Sequence, residues 1–134
     1  MAKIKLLLAL ILLSNSNIAW AGEAKLYIFI SISMGKENIN SLIESSNNAS
    51  FVLRGLKGNS FRKTSEFVKD LKDASIIIDP ELFKKYDVVA VPCYVLAKSD
   101  GNYDKLSGNV TPKYALDKFA KAGDLAQEAQ WLLQ

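Results

Sequence analysis

The sequence predicts an α/β fold in which a mixed sheet is flanked by helices. Three observations lead to this prediction. Short β-branched and aromatic runs alternate with helical spacings in the first half, Pro92 lies within the most apolar run after the N-terminus, and a hairpin follows it. Strands separated by helices call for parallel pairing, whereas a hairpin adds antiparallel strands. The predicted order is βαβαβ, a short helix, ββα and a C-terminal helical extension.

Three strands and two helices are predicted in the first half of the chain. The strands lie at 25–32, 51–53 and 74–78, where β-branched and aromatic residues dominate. The first helix runs to about Asn47 and carries apolar residues at Ile39, Leu42 and Ile43. Ser60 is a suitable N-cap for the second helix, whose predicted apolar stripe is Phe61, Val68 and Leu71, with Phe67 beside it.

The second half has two strong helix-start signals. Asp79 supplies a cap, Pro80 a first helical residue and Glu81 a first-turn acid. Thr111 and Pro112 repeat the signal. A further helix is predicted to end near Gly123, and Asp124 is predicted to cap the last one. The predicted apolar faces are Leu82, Phe83 and Tyr86, then Ala115, Leu116 and Phe119, and finally Leu125, Ala129 and Leu132.

The segment 88–97, VVAVPCYVLA, is the most apolar part of the chain after the N-terminus. Proline cannot donate a ladder hydrogen bond, so we predict a strand that is entered through a bend at Pro92. Residues 99–102 then form a turn, and 103–106 form the partner strand of a hairpin.

The N-terminus has the pattern of a secretory signal peptide. Lys3 and Lys5 precede an unbroken apolar run at 6–13, and Ala19 and Ala21 provide small residues before a cleavage site. A membrane anchor is the alternative, but this run is far shorter than the roughly 20 residues that a spanning helix needs. We therefore predict that residues 1–21 are removed. Residues 22–134 then form one domain, with 124–134 as a C-terminal helical tail.

The amino-acid composition argues against several classes of function. Loss of Lys3 and Lys5 lowers the net charge from +3 to +1, and no basic stripe with aromatics is present, so nucleic acid is not an expected partner. Histidine is absent and Cys93 is the sole cysteine, which removes histidine-dependent catalysis, most zinc sites and a Cys-x-x-Cys redox pair. We expect no enzyme activity, no cofactor, no metal and no membrane span in the mature chain.

The element order resembles that of the thioredoxin fold, in which a cis-proline precedes the first antiparallel strand and faces the redox pair. The segment Val91-Pro92-Cys93 is similar to that region, which implies a cis peptide bond at Pro92. The redox pair would follow the first strand, but this chain has Ser31-Ile32-Ser33-Met34 there. A serine hydroxyl cannot form a mixed disulfide.

Several spaced motifs resemble the TrbC family, whose members assemble pili in F-type conjugative type IV secretion systems. In chain order they are Ile30-Ser31-Ile32-Ser33-Met34, Val52-Leu53-Arg54-Gly55-Leu56, Ile78-Asp79-Pro80-Glu81-Leu82-Phe83, Val91-Pro92, and Gly108-Asn109-Val110 ahead of Tyr114-Ala115-Leu116. Two positions depart from the pattern: Gly35 stands where proline is expected after Met34, and Cys93 stands where threonine is expected.

This resemblance implies a periplasmic protein that works with other transfer proteins of the envelope, notably TraW, in building the pilus and the secretion channel. It brings no catalytic residues, so the predicted function is a non-enzymatic assembly factor. The alternative is a periplasmic redox protein or thiol chaperone that acts through Cys93. A periplasmic binding protein for a small ligand is a third reading, for which the sequence shows no convergent polar set.

Nine residues are candidates for structural or interaction roles: Ser33, Met34, Arg54, Gly55, Asp79, Pro80, Pro92, Cys93 and Trp131. Cys93 is either a reactive thiol or, as is more usual for a lone cysteine in an apolar strand, a small buried hydrophobe. Arg54 either grips a partner carboxylate or simply ends a strand. Trp131 either anchors a docking helix, belongs to a helix that packs on the domain itself, or lies in a disordered tail.

Overall fold

The computed structural model describes residues 24–134, and the predicted signal peptide lies outside them. The strands are β1 Lys25–Ile30, β2 Ala49–Leu53, β3 Ser75–Ile78, β4 Cys93–Ala97 and β5 Tyr103–Ser107. The helices are α1 Lys36–Glu44, α2 Phe61–Lys69, α3 Pro80–Lys85, α4 Pro112–Ala122 and α5 Ala126–Leu132. Two short 3-10 turns, Ile32–Met34 and Lys57–Asn59, precede α1 and α2.

The five strands form one mixed sheet in the order β3-β2-β1-β4-β5. Strand β1 pairs in parallel with β2, and β2 with β3. Strand β4 runs antiparallel to both β1 and β5. The predicted mixed sheet and the predicted hairpin are confirmed, and the central strand β1 carries the parallel half on one side and the antiparallel half on the other.

The two faces of the sheet bury two separate apolar clusters. The larger cluster receives α1, α2, α4 and α5 through residues such as Ile39, Phe67, Phe119 and Ala129. The smaller cluster contains Phe29, Val52, Cys93 and Val95 from the sheet and is covered by Phe83 and Tyr86, from α3 and the residue after it. Among the described residues, four helices therefore cover one face and one short helix covers the other.

The three strongest helix-start predictions are confirmed. Ser60 Oγ accepts a hydrogen bond from the Lys63 amide, and Thr111 Oγ1 accepts one from the Tyr114 amide. Asp79 Oδ1 accepts from the amides of both Glu81 and Leu82. These side chains satisfy amides at the start of a helix that have no partner within it, which is why Ser, Thr and Asp favour this position.

The predicted apolar stripe of α2 is wrong at its first residue. Phe61 is 80% exposed, whereas Thr64, Phe67 and Leu71 are buried and follow one another along the inner face. The Thr64 hydroxyl donates to the Ser60 carbonyl and accepts from the Lys57 amide, which satisfies its polar oxygen inside the fold. The buried face of α2 thus begins with Thr64 and not, as predicted, with the ring of Phe61.

The predicted cap of the last helix is also wrong. Asp124 does not cap α5; instead the carboxylate of Asp104 in β5 accepts hydrogen bonds from the Asp124 and Leu125 amides, at 2.8 and 2.9 Å. Gly123 ends α4, and its amide bonds to the Phe119 carbonyl. Leu125, at the N-cap position of α5, makes no side-chain cap; the Asp104 carboxylate, about twenty positions earlier, binds the two amides that lead into the helix, so this contact depends on the tertiary fold.

Two predicted strands are shorter in the structure. Strand β1 ends at Ile30, because Ser31 and the turn that follows it take up the next residues. In the apolar run, only Cys93–Ala97 is a strand, and Val89 is 88% exposed. The segment 88–92 is therefore an irregular connection at the end of the sheet, with apolar side chains on its surface.

Candidate functional site

Most of the candidate residues gather at one edge of the sheet. In the sheet register the last pair of β1 and β2 is Ile30 with Leu53, while Phe29 pairs with Cys93 at the start of β4. The segments that follow Ile30 and Leu53, and the one that precedes Cys93, therefore meet at this edge. We call it the carboxyl edge, after the ends of the parallel strands.

The turn after β1 is held together by its own side chains. Ser31 Oγ accepts from the Ser33 amide at 3.2 Å and lies 2.7 Å from Ser33 Oγ, while the Ser31 amide donates to Met34 Sδ at 3.4 Å. Ser33 is exposed and Met34 is half-buried. Both candidates thus shape the surface immediately before α1, where the thioredoxin fold would place its redox pair.

Gly35 explains one departure from the family pattern. Its φ is +85°, a region that glycine enters freely and other residues rarely adopt. Proline has φ fixed near −65° and cannot follow this path. The backbone between the turn and α1 therefore depends on the glycine that stands where the TrbC pattern has proline.

Val91 and Pro92 divide the carboxyl edge into two grooves. The peptide bond between them is cis, as the thioredoxin resemblance implied, and the Pro92 carbonyl accepts a hydrogen bond from the Gly108 amide at 3.1 Å. The Arg54 groove, about 560 Å³, is lined by residues that include Ile32, Arg54, Leu56, Lys57, Val89 and Val91. The Met34 groove, about 490 Å³, is lined by residues that include Met34, Asn38, Leu42, Pro92, Asn109 and Val110.

Arg54 and Gly55 follow β2 directly and line the first of these grooves. Both are exposed. Asp79 lies beside them, because its amide donates to the Leu53 carbonyl at 2.9 Å. The carboxylate of Asp79 is engaged in capping α3, in which Pro80 is the first residue. Asp79 and Pro80 therefore position α3 under the groove and have a structural role in the site.

Cys93 lies beneath the carboxyl edge with no exposed surface. Its side chain belongs to the smaller apolar cluster, and its strand neighbours are Phe29 and Ser107. Burial raises the pKa of the Cys93 thiol, while a hydrogen bond with Ser107 and the charge of Lys105 act in the opposite direction. The thiolate is the reactive form of cysteine, so burial and a raised pKa both oppose reactivity.

Trp131 is not part of this edge. It lies on α5 and is 59% exposed, whereas its neighbours Leu132 and Leu133 pack against the larger cluster. Leu132 and Leu133 line a small cavity with Leu26, near the start of β1 and so at the opposite edge of the sheet. The C-terminal tail packs on the domain through these leucines and presents the indole to solvent.

Tyr94 fixes one wall of the Met34 groove and gives the protein a predicted pH dependence. Its hydroxyl donates to the Val110 carbonyl at 2.5 Å, and burial raises the pKa of Tyr94 to about 12. Between pH of about 10 and 12 the unfolded chain loses the phenolic proton and the folded chain keeps it. The free energy of unfolding is therefore expected to fall as the pH rises through this window.

Tyr94→Phe isolates this contribution. We expect the substitution to cost about 1 kcal/mol at pH 7, because the Val110 carbonyl loses its donor, and to make stability less dependent on pH between about 10 and 12. Urea denaturation at several pH values measures both effects. Tyr114→Phe, at an exposed tyrosine of α4, is the matched control. Parallel pH curves for the wild type and Tyr94→Phe would contradict the prediction.

Residues 24–134 contain no group of three or more His, Cys, Asp or Glu side chains placed to hold a metal ion. In the same part of the chain, no helix has the length and apolar character needed to cross a bilayer. What the carboxyl edge offers is two grooves with apolar walls, one bearing cations and the other uncharged.

Two residues of the Arg54 groove, Lys57 and Val89, were not among the candidate residues predicted from the sequence. Lys57 follows Arg54 in the same loop, and the pairing of two cations within four residues was an available signal. Val89 had no such signal, because its place in an apolar run predicted burial, and the structure exposes it.

Three comparisons with known proteins show what this chain is similar to. A family model described as type-F conjugative transfer system pilin assembly protein matches residues 28–130. The periplasmic protein TrbC of Escherichia coli (strain K12) is 34% identical over 111 residues, which are 78% of this chain and 52% of that protein. The present chain thus spans about half the length of this curated relative.

The exposed lipoprotein thioredoxin of Streptococcus pneumoniae has a similar structure, with a TM-score of 0.55 and 16% identity. The match covers 78% of this chain and 88% of that one. It confirms the thioredoxin-like fold and, at this identity, nothing about activity. On the family match and the identity to periplasmic TrbC, the chain belongs to the TrbC family of type-F conjugative transfer system pilin assembly proteins.

Proposed function

We propose that this protein is a periplasmic, non-enzymatic assembly factor for the pilus and channel of an F-type conjugative type IV secretion system. The observation that carries the proposal is the family match over 28–130, which spans both halves of the sheet and the carboxyl edge. The periplasmic location is supported by the relative from Escherichia coli and by the signal-peptide pattern at 1–21.

The state of the thiol supports a role without catalysis. Disulfide exchange needs a thiolate that can reach the substrate sulfur. Cys93 is buried, its pKa is raised, and it is the only cysteine of the chain. Where the thioredoxin fold would place its redox pair, this protein has the hydroxyls of Ser31 and Ser33 and the thioether of Met34.

The carboxyl edge supplies the binding surface in this proposal. Concave sites with apolar walls and a few placed polar groups are typical binding sites, and volumes of about 300–1,000 Å³ are usual for them. Both grooves fall in this range. The partners are other envelope proteins of the transfer machinery, and a TraW-like protein is the first candidate because the family resemblance implies it.

Deletion of the gene and complementation test the proposal. We expect the deletion strain to lose pili and plasmid transfer, with normal disulfide formation in its periplasm. Wild-type protein and Cys93→Ala should both restore transfer fully, because alanine keeps the buried site apolar. Cys93→Ser, which replaces the sulfur by a more polar oxygen, serves as the second variant.

Two results would argue against this function. Unimpaired conjugation in the deletion strain would refute the assembly role. Failure of both Cys93 variants at wild-type protein levels, together with a mixed disulfide trapped on the wild-type thiol, would instead establish the thiol-dependent redox protein or chaperone. Pilus counts, transfer frequency and non-reducing gels measure these outcomes.

A further inference from the structure

We propose that the Arg54 groove binds an extended apolar segment of a partner protein that carries carboxylate side chains. The inference rests on the proposed function, since it names the partner chemistry for one part of the same edge. It follows from the charges in the groove, from its apolar wall and from the contrast with the neighbouring groove.

The groove contains two cations and no anion. Arg54 and Lys57 are its charged lining residues, and both are exposed. Within residues 24–134 neither is in an ion pair with a carboxylate, although six other cationic side chains are: Lys36, Arg62, Lys72, Lys84, Lys98 and Lys113. The guanidinium presents a planar fork that suits a carboxylate, and two unpaired cations in one groove attract a negative ligand.

The acidic residues around the loop are already engaged. Asp79, which follows β3 beside Leu53, caps α3 with its carboxylate. Asp70, after α2, pairs with Lys36. The Lys57 ammonium lies over the ring of Phe67, 5.1 Å from its centroid, a contact that does not neutralise its charge. The positive charge of Arg54 and Lys57 therefore remains available to a ligand.

Most of the remaining wall of the groove is apolar, and among the described residues Ser31 is its one other polar side chain. Ile32 and Leu56 are half-buried, while Val89 is 88% exposed in the connection between α3 and β4. Phe83 and Val88 are buried lining residues from and after α3. A ligand that covers Val89 and Leu56 and reaches Arg54 must combine apolar and negatively charged groups, and a peptide segment with both kinds of side chain does so.

The Met34 groove provides an internal comparison. It is of similar size, shares Val91 with the Arg54 groove, and has no charged residue among its lining residues. Charge complementarity therefore selects the Arg54 groove for an acidic segment. The two grooves should respond differently to the same peptide, which makes the assignment testable residue by residue.

A titration followed by NMR tests the binding chemistry. The probe is an acetylated, amidated octapeptide of alternating valine and aspartate, with a valine and lysine octapeptide as its matched counterpart. We expect the acidic peptide to shift the amide signals of residues 54–58 and 88–91 of the purified protein and to bind more weakly as salt increases. Arg54→Glu combined with Lys57→Glu should weaken the acidic peptide at least roughly tenfold and favour the lysine peptide.

Controls separate charge recognition from loss of structure. Lys118→Glu on α4 lies outside the groove and should bind like the wild type. Arg54→Gln combined with Lys57→Gln removes the charges without reversing them and should also weaken binding of the acidic peptide. This variant replaces the double glutamate variant in the test if the latter does not fold. Equal binding of the two peptides, or signal shifts confined to 34–45 and 109–111, would overturn the inference.

A conjugation assay distinguishes this inference from the proposed function. If deletion abolishes transfer and the double glutamate variant, present at wild-type level, transfers normally, the assembly role stands and the groove inference fails. If deletion has no effect, the assembly role fails, and the peptide titration still decides the binding chemistry. Loss of transfer in the double variant together with full activity of Lys118→Glu supports both.

Discussion

Replacing Phe29 with alanine is expected to lower the free energy of unfolding by about 3–5 kcal/mol, the range for large-to-small aromatic substitutions in a core. Phe29 lies in the central strand with no exposed surface. Its ring packs edge-on against Phe83 with centroids 4.9 Å apart, and against Tyr86 at 6.3 Å. Removing it leaves a cavity under α3, between the sheet and the rings of Phe83 and Tyr86.

The same substitution should expose the thiol. Phe29 and Cys93 are paired across β1 and β4 in the cluster that α3 covers. Chemical denaturation gives the change in stability, and alkylation of Cys93 under native conditions gives its accessibility. Val89→Ala, at a valine that is 88% exposed, should change stability by no more than about 0.5 kcal/mol. A Phe29→Ala protein as stable and as slowly alkylated as this control would contradict the packing described for α3.

Gly123→Ala is expected to cost about 1–3 kcal/mol, as overpacking of a tight site does. A Cβ atom at this position would clash with Asp104 Oδ2 and would lie 2.7 Å from the Phe119 carbonyl oxygen. Both groups are in use: the carboxylate accepts from the Asp124 and Leu125 amides, and the carbonyl accepts from the Gly123 amide. The φ of Gly123 is −81°, so the glycine is required by this close approach and not by its backbone angle.

A double-mutant cycle shows which contact matters. Asp104→Ala removes two charge-assisted hydrogen bonds and should itself destabilise the protein, but in that background Gly123→Ala meets the Phe119 carbonyl alone. The two changes should therefore be less than additive. Gly55→Ala is the control, because a Cβ there meets nothing within 4 Å. If Gly123→Ala unfolds at the same denaturant concentration as Gly55→Ala, the close approach does not constrain the chain.

What could be predicted from the sequence depended on local interactions. Ser60, Asp79 and Thr111 satisfy amides two or three residues further along the chain, so a short window contains both partners. The mixed pairing of the sheet followed from equally local evidence, since helices between strands call for parallel pairing and a hairpin adds antiparallel strands. The family motifs extended this to the family, because they recur in order across the fold.

The residues that could not be predicted depend on distant partners. Asp104 in β5 binds the Asp124 and Leu125 amides that lead into α5, and no short window around Asp124 contains this partner. Phe61 and Val89 look like core residues by composition, yet the fold leaves both on the surface. The Arg54 groove joins three segments that are separated in the chain, so neither its volume nor its lack of acidic groups can be read from any one of them.

The unequal cover of the two faces has a consequence for how the molecule opens. Releasing α3, which is held by Phe83, Tyr86 and the bonds of Lys105 Nζ to the Tyr86 and Asp87 carbonyls, uncovers only the smaller cluster. The four-helix face keeps its own core intact during this event. Such a partial opening requires less free energy than global unfolding. We therefore expect the time that Cys93 spends in contact with solvent to follow the population of one sub-globally open state, and changes to the larger core to alter that population little.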